Sequence, residues 1–310
     1  MSYADAFLRY CKSVFDRDCS AALQQVLIEA GFADFDVLSR EYVVEAELVN
    51  NSLLSVGSGI EEPFSTIDNP VVRVRFADGS IVPVIPGSTL KGVLRSIAER
   101  IVASRGLLCV SPPRDLLEKC RGRVDVGRLR CTGEGLAEVE KLLKNCCREL
   151  IEFLESGDRE FVDKCLLSPV VGLFGAPWLA SHLVFYDALP VNWEEATVEV
   201  IRRVAIDRFT LSQKPGLLYS LEAIRPGVTW RFRLRIVNVD IEDGGGDERV
   251  KLFWDVMRVL KEGIAVGRRT SVGHGVLKLK TIRSCTKYVV EKGVLKTEDC
   301  TNLFRERLGV

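Results

Sequence analysis

The sequence predicts an α+β fold built on a ferredoxin-like (RRM-like) core, an antiparallel sheet with helices on one face, interrupted by insertions. Three observations predict it. Period-two and helical-period segments follow one another as strand, helix, strand, strand, helix, strand between residues 42 and 282. The alternating segments carry apolar side chains on one face only, as half-buried strands do. The 310 residues are 47% hydrophobic and 28% charged, enough to bury a sizeable core.

Taken in order, residues 4–31 read as two short helices broken near "DRDCS". "YVVEAELV" (42–49) alternates, with Tyr42, Val44, Ala46 and Leu48 on one face and Glu45 and Glu47 on the other. A loop with several Gly and Pro leads to "VVRVRF" (71–76) and the turn "ADGS". After a Pro-Gly turn, a helix runs from Ser88 to about Ala103. It carries Lys91 and Arg95 on one face of its first turns, where the helix dipole prefers anions. Either solvent or an anionic partner must answer them.

Residues 104–165 read as an insertion, a Gly/Pro/Arg-rich coil (105–135) followed by the helix "LAEVEKLLKNCCRELIEFL". "HLVFYDALP" (182–190) is a strand, and 202–227 is a long excursion with turn signals at Lys214-Pro215-Gly216 and Pro226-Gly227. "VTWRFRLRIV" (228–237) is an amphipathic strand. The next helix turns Leu252, Phe253, Val256 and Leu260 inward, and "GHGVLKLKTI" closes the core as a strand. The chain thus divides into an acidic helical extension (1–41), a core (42–285) containing the 104–165 insertion, and a C-terminal tail (286–310).

The formal net charge is zero, which argues against a wholesale nucleic-acid binder, but its distribution is uneven. Residues 1–62 hold eleven acidic and four basic residues, so a head of net −7 precedes a body of net +7. There is no 18-residue apolar run and no signal-peptide pattern, so a cytoplasmic chain with no membrane partner is expected. Two distant His argue against a His-based nuclease centre, and neither a Walker motif nor a carboxylate cluster for two metals is present.

Several constellations remain. In "WRFRLRI", Arg231, Arg233 and Arg235 share one strand face; aligned like charges need carboxylates, solvent or phosphates opposite. In "GIAVGRRTSVGHGV" (263–276), glycines bracket Arg268, Arg269, Thr270 and Ser271, a composition suited to a phosphate. His274 in that loop either contacts RNA or fills a turn. Asp68, before Asn-Pro, reads on its own as an Asx-turn residue. His182, at the start of a strand, reads as structural.

The ten cysteines include six within residues 109–165 and no CxxC pair. Cys109, Cys120 and Cys131 lie in coil that lacks a core, where structural zinc could impose order. Cys146, Cys147 and Cys165 read as small apolar residues on or near a helix. Buried thiols, or disulfides if the source is a hyperthermophile, are the competing readings.

Together, four segments resemble the repeat-associated mysterious protein (RAMP) superfamily. "IPGSTLKGVLRS" is similar to its Ile-Pro-Gly-Ser-Ser-Leu-Lys-Gly signature, and "GRRTSVGHGVL" to its C-terminal glycine-rich loop. "CLLSPVVGLFGAPWLASHLVFYDALP" resembles its LFG…strand-Asp-Ala segment. "AIDRFTLSQKPGLLYSLEAIRPGVTWRFRLRI" resembles the thumb hairpin and following strand of backbone subunits in type III CRISPR effector complexes. The resemblance runs in order from about residue 42 to 282.

It implies a subunit that stacks with itself and other type III subunits along a crRNA guide, with a thumb over 202–226. Guide phosphates would then cross the start of the 88–103 helix, meeting Lys91, Arg95 and the N–H groups of Gly87 and Ser88. The resemblance extends RNA contact to Arg268, Arg269, Ser271 and His274, and to the arginine stripe of Arg231, Arg233 and Arg235. "IDNPVVR" stands where close relatives have Ile-Asp-Ser-Pro-Val-Val-Arg, which puts Asp68 on the position needed to cleave bound single-stranded target RNA. That cleavage would use Mg²⁺ or Mn²⁺, with Asp68 positioning or deprotonating the attacking 2′-hydroxyl or holding the metal. The chain departs from the family in its acidic head, in its Cys-rich insertion, and in Ser55, which stands where a guide-contacting His is expected. Two alternatives stay open: a non-catalytic subunit that binds or caps the guide filament, and a guide-processing endoribonuclease.

Overall fold

The computed structural model describes residues 3–14, 19–57, 59, 67–108, 112–156, 160–207, 209–210, 212–243 and 246–310. Helices α1 (Tyr3–Val14) and α2 (Ser20–Glu29) precede the long strand β1 (Arg40–Asn50). A small ribbon, β2 (Arg73–Arg75) and β3 (Ile81–Pro83), leads into helix α3 (Gly87–Ser104). The insertion contributes α4 (Arg114–Lys119), α5 (Leu136–Asn145) and α6 (Cys147–Glu155). Helix α7 (Pro169–Phe174) returns the chain to the sheet as β4 (Leu183–Phe185) and β5 (Leu189–Pro190). A long hairpin follows, β6 (Val198–Ile206) and β7 (Gln213–Ile224), then β8 (Thr229–Val237) and α8 (Glu248–Glu262). The chain ends with β9 (Ile264–Ala265), β10 (Val276–Glu291), β11 (Val294–Asp299) and α9 (Thr301–Leu308).

The main sheet runs β11-β10-β1-β8-β4, antiparallel throughout, with short β5 and β9 beside β8 and β10. Two register shifts between β1 and β10, at Glu45/Ala46 and Glu47/Leu48, curl it. Alternation decides which face is covered. Tyr42, Val44, Ala46 and Leu48 of β1, with Trp230, Phe232, Leu234 and Ile236 of β8, are all at most 1% exposed. They pack on Leu90 and Leu94 of α3 and on Leu252, Phe253, Val256 and Leu260 of α8. Asn50, buried at the end of β1, accepts from Trp230 Nε1 (3.0 Å) and donates to the carbonyls of Ser52 and Arg225. That bond set pins the sheet to the foot of the β6–β7 hairpin.

The head and the insertion share a second core. Phe7, Leu23, Val26 and Leu27 of the head pack with Leu116, Val139, Leu142, Leu150 and Phe161 of the insertion. Disulfides run through it: Cys19–Cys147 joins head to insertion, and Cys120–Cys146 and Cys131–Cys165 tie the insertion to itself. Cys120 and Cys131, two of the three residues offered to zinc, are bonded to different partners, and Cys109, the third, lies outside the described residues. One expectation is corrected. Cys146, Cys147 and Cys165 are cross-links rather than small apolar fillers. The helix expected to run unbroken over 136–154 breaks at Cys146, whose backbone leaves the helical region to reach Cys120.

One segment carries structure the sequence reading left unassigned, and one differs from expectation. The tail is ordered: β10 runs on to Glu291, pairs with β11, and Cys285–Cys300 fastens α9 beneath. β6 ends at Ile206 and β7 begins at Gln213, so Lys214–Gly216 lie within β7 rather than in the turn. Asp207 builds that turn by accepting from the N–H groups of Phe209 (2.8 Å) and Thr210 (3.1 Å). Among the described residues no helix is long and apolar enough to cross a membrane.

Candidate nucleic-acid interface

The glycine-rich loop between β9 and β10 sits where three segments meet at the foot of the hairpin. Ser55 O accepts from Arg268 N (2.8 Å), and Leu53 O accepts from Gly275 N (2.7 Å). Leu54 and Ile224 exchange both backbone bonds, at 2.8 and 3.0 Å. The composition follows from this crowding. A Cβ on Gly275, whose φ is +75°, would lie 1.9 Å from Val266 O. The Arg268 guanidinium lies directly over Gly57.

Four polar side-chain atoms here are buried without a hydrogen-bond partner among the described residues: Ser55 Oγ, Arg268 Nη1, Arg269 Nε and His274 Nδ1. Buried donors are nearly always satisfied, so a cluster of orphans needs a cause. Anion oxygens are the kind of acceptor that arginine and hydroxyl donors take. Arg269 adopts the left-handed conformation (φ +62°) and reaches β7, where its Nη1 bonds the Tyr219 hydroxyl and its guanidinium stands 5.9 Å from the ring centre. Burial, then Arg269 and Arg203, push the His274 pKa below its ordinary value. Ser271 is exposed in the same loop.

Asp68 lies at the same foot, on the other side of β7. Its Oδ2 accepts from Ser220 N (2.7 Å) and Ser220 Oγ (3.0 Å), and its own N–H donates to that hydroxyl (3.3 Å). Those bonds hold the exposed carboxyl below the usual carboxylate range. Next to it, Glu222 N donates to Asn69 O (3.0 Å), and the Glu222 carboxylate takes Val71 N (2.9 Å) and Arg73 Nη2 (2.8 Å). The "DNPVVR" segment is thus stitched onto the hairpin. No group of three acidic or His ligands surrounds Asp68 among the described residues. Glu222, the carboxylate beside it, is paired with Arg73.

At the start of α3 the expected anion site is partly filled from within. Gly87 N donates to Asp187 Oδ1 (2.8 Å), so a carboxylate of the chain already caps the helix. Gly87 allows the helix to press on β4: a Cβ there would stand 2.4 Å from Phe185 O. Ser88 is exposed beside it. Arg95 turns inward, with Nη1 on Gly175 O (2.9 Å) and Nε on Glu99 (3.0 Å). Lys91 is half-buried and has no ion pair among the described residues; burial, then Arg95, lower its pKa. It lines a 350 Å³ cavity with Arg95, Gly133, Ala137 and Pro177.

The arginine stripe meets carboxylates. Arg235 bonds Glu41, which raises its pKa, and Arg233 stands 3.9 Å from Glu45 and stacks 5.0 Å from the Tyr186 ring centre. On the far side of β1, Glu47 pairs with Arg283. Arg231 is exposed on the same face, with no ion pair among the described residues. His182 is fully buried, its ring nitrogens 2.7 Å from Val237 O and 2.9 Å from Phe32 O, a structural role.

The site thus brings together Arg268, Arg269 and His274, and leaves Lys91 and the arginine stripe on other surfaces. Ser55, Tyr219, Arg203, Asp187 and Ser220 belong to these sites and have no assigned role in the sequence reading. Asp187 stood in a quoted motif; Tyr219 and Ser220 acquire neighbours only through the hairpin register.

The RAMP superfamily model matches residues 52–278, nearly three quarters of the chain. The chain belongs to the RAMP superfamily. The glycine-rich loop and the α3 start both fall inside that match. A similar protein is the CRISPR system Cmr subunit Cmr6 of Pyrococcus furiosus, 23% identical over 251 residues, covering 78% of this chain and 69% of that protein. Among solved structures, a chain of the type III-B Cmr-β complex bound to cognate target RNA matches with a TM-score of 0.44 and 14% identity. That match covers 85% of this chain, which spans 64% of the other's length.

Proposed function

We propose that this chain is an RNA-binding subunit of a type III CRISPR effector complex, gripping the backbone of its guide at the glycine-rich loop. The observation that carries the reading is the cluster of buried, unanswered polar atoms on Ser55, Arg268, Arg269 and His274. Phosphate oxygens would accept from them without regard to sequence. The kinship with a Cmr6 subunit supports the assembly. In this reading the core is ferredoxin-like, which its strand order supports: the fourth, first, third and second strands of that fold correspond to β10, β1, β8 and β4. The β6–β7 hairpin serves as the thumb, and neighbouring subunits and single-stranded target RNA are the further partners.

The test is guide-RNA binding by the assembled complex across a salt series. Replacing Arg268 and Arg269 by Ala should weaken binding equally for all guide sequences. The slope of log K against log salt should shrink by about 1.4, since each phosphate neutralised on a single strand contributes ~0.7. An unchanged slope refutes the loop as the phosphate grip.

Target cleavage by Asp68 is the second reading. One observation favours it: the carboxylate is exposed and its pKa is held below the usual carboxylate range. The double bond to Ser220 supports a bracket instead, so the binding role is the one adopted.

A further inference from the structure

Three sulfur atoms outside the RNA site form a group of their own. The Sγ atoms of Cys11, Cys19 and Cys147 lie within 4.8 Å of one another. Cys11 comes from α1, Cys19 precedes α2 and Cys147 opens α6, so three separate helices deliver them. All three are at most 2% exposed. In the oxidised protein Cys19 and Cys147 are bonded and Cys11 is a free thiol beside them. A packing role alone does not require a third sulfur at that spot.

We propose that in the reduced protein Cys11, Cys19 and Cys147 form a trithiolate site for one soft d¹⁰ metal ion. Ligand chemistry selects the ion: the group holds sulfur only, with no imidazole or carboxylate among the described residues within the same reach. Thiolate sets of this kind favour Zn²⁺ or Cu⁺ over Mg²⁺ or Ca²⁺. The chemistry balances in two steps. A dithiol reductant gives two electrons and two protons, breaking the Cys19–Cys147 bond into two thiols and itself closing to a disulfide. The ion then displaces three protons from three thiols and takes three S–metal bonds. Either state fastens the head to the insertion, by one covalent bond or by one ion. The inference is independent of the RNA-binding reading.

The test uses the full chain, reduced anaerobically with a phosphine and titrated with Cd²⁺, whose thiolate complexes absorb by charge transfer. Cys11 is outside every disulfide, so Cys11→Ser should keep the unreduced fold, checked by an unchanged Tm. Reduced wild type should bind one more tight equivalent of Cd²⁺ than reduced Cys11→Ser. Equal uptake overturns the site. Should the variant fail to fold, mass mapping of alkylation in reduced wild type decides: Cd²⁺ should slow labelling of Cys11, Cys19 and Cys147 together. Slowing confined to the other cysteine pairs overturns it. Zn²⁺ and Cu⁺, in separate arms, name the ion by displacing Cd²⁺; displacement by neither rejects the assigned class.

Discussion

The Asp68 carboxylate binds both the backbone N–H and the hydroxyl of Ser220, across 152 residues of chain. It fastens the loop before β2 to the foot of the β6–β7 hairpin. One side chain therefore carries a mechanical role at the position where the family resemblance implies chemistry.

Asp68→Ala should free that loop. Hydrogen exchange at the Ser220 and Glu222 amides should speed up, while target cleavage by the assembled complex in Mg²⁺ persists. Lost cleavage with unchanged exchange would restore the nuclease reading. The carboxyl is depressed in the folded state, so its stabilisation is complete above the unfolded Asp value and fades as pH falls through the folded one. Protection at Ser220 should therefore outlast an ordinary Asp, surviving at about pH 4.

His274 should report on bound phosphate. Its pKa is lowered by burial and by Arg269 and Arg203, so without RNA its contribution to stability is complete above about pH 6.5 and is lost as pH falls through the folded value. An anion beside it reverses the balance and favours the imidazolium. NMR titration should place the His274 pKa higher in the guide complex than in the free protein, and guide affinity should rise as pH drops. An identical pKa in both states would place the phosphate elsewhere.

Arg235→Ala separates carboxylates from phosphates as partners of the arginine stripe. Glu41, 10% exposed at its side chain, would lose its bonded cation. Arg235 is itself 37% exposed, so solvent screens the loss, and the cost in denaturant unfolding should be about 1 kcal/mol. The salt slope of guide binding should not move. A reduced slope at constant stability would mean that Arg235 serves RNA instead.

Much of this was legible because local pattern and packing agree. Alternation in "YVVEAELV" and "WRFRLRI" alone assigned the buried faces of β1 and β8, since a strand buried on one side has no other way to place its side chains. The inward face of α8 was equally readable. What escaped was long-range. Nothing in the spacing of ten cysteines pairs Cys19 with Cys147, because partner choice is made by two helices packing across 128 residues. Asp187 as the cap of Gly87 and Glu41 as the partner of Arg235 depend likewise on chain return and register. The phosphate-suited loop was visible as composition. Its orphaned donors were not, because burial belongs to the fold.

Cys19–Cys147 closes a loop of 128 residues, and chain entropy assigns such a cross-link about 4–5 kcal/mol. The double replacement Cys19→Ser, Cys147→Ser should lower the melting temperature of the helical module and leave the main sheet intact. Calorimetry should then resolve an early transition, with near-wild-type exchange protection in β1 and β8. A single transition shifted as a whole would mean that the two cores unfold as one unit.

Lys91 and Arg95 sit one turn apart on α3, yet they should respond oppositely to replacement. Lys91 has no ion pair among the described residues and faces a cavity at the helix start. Its lowered pKa reflects burial and the neighbouring Arg95 charge, a strain that an RNA phosphate would relieve. Lys91→Ala should therefore leave folding intact, or improve it slightly, and reduce the guide-binding salt slope by about 0.7. Arg95 is 18% exposed and spends its guanidinium on Gly175 O and Glu99. Arg95→Ala strands that carbonyl and carboxylate, and should cost about 1–3 kcal/mol with little change in slope. Urea unfolding and salt-dependent guide binding, run on both variants, read the two effects separately. Equal slopes for the two variants would mean that the cations act together on RNA despite their different surroundings.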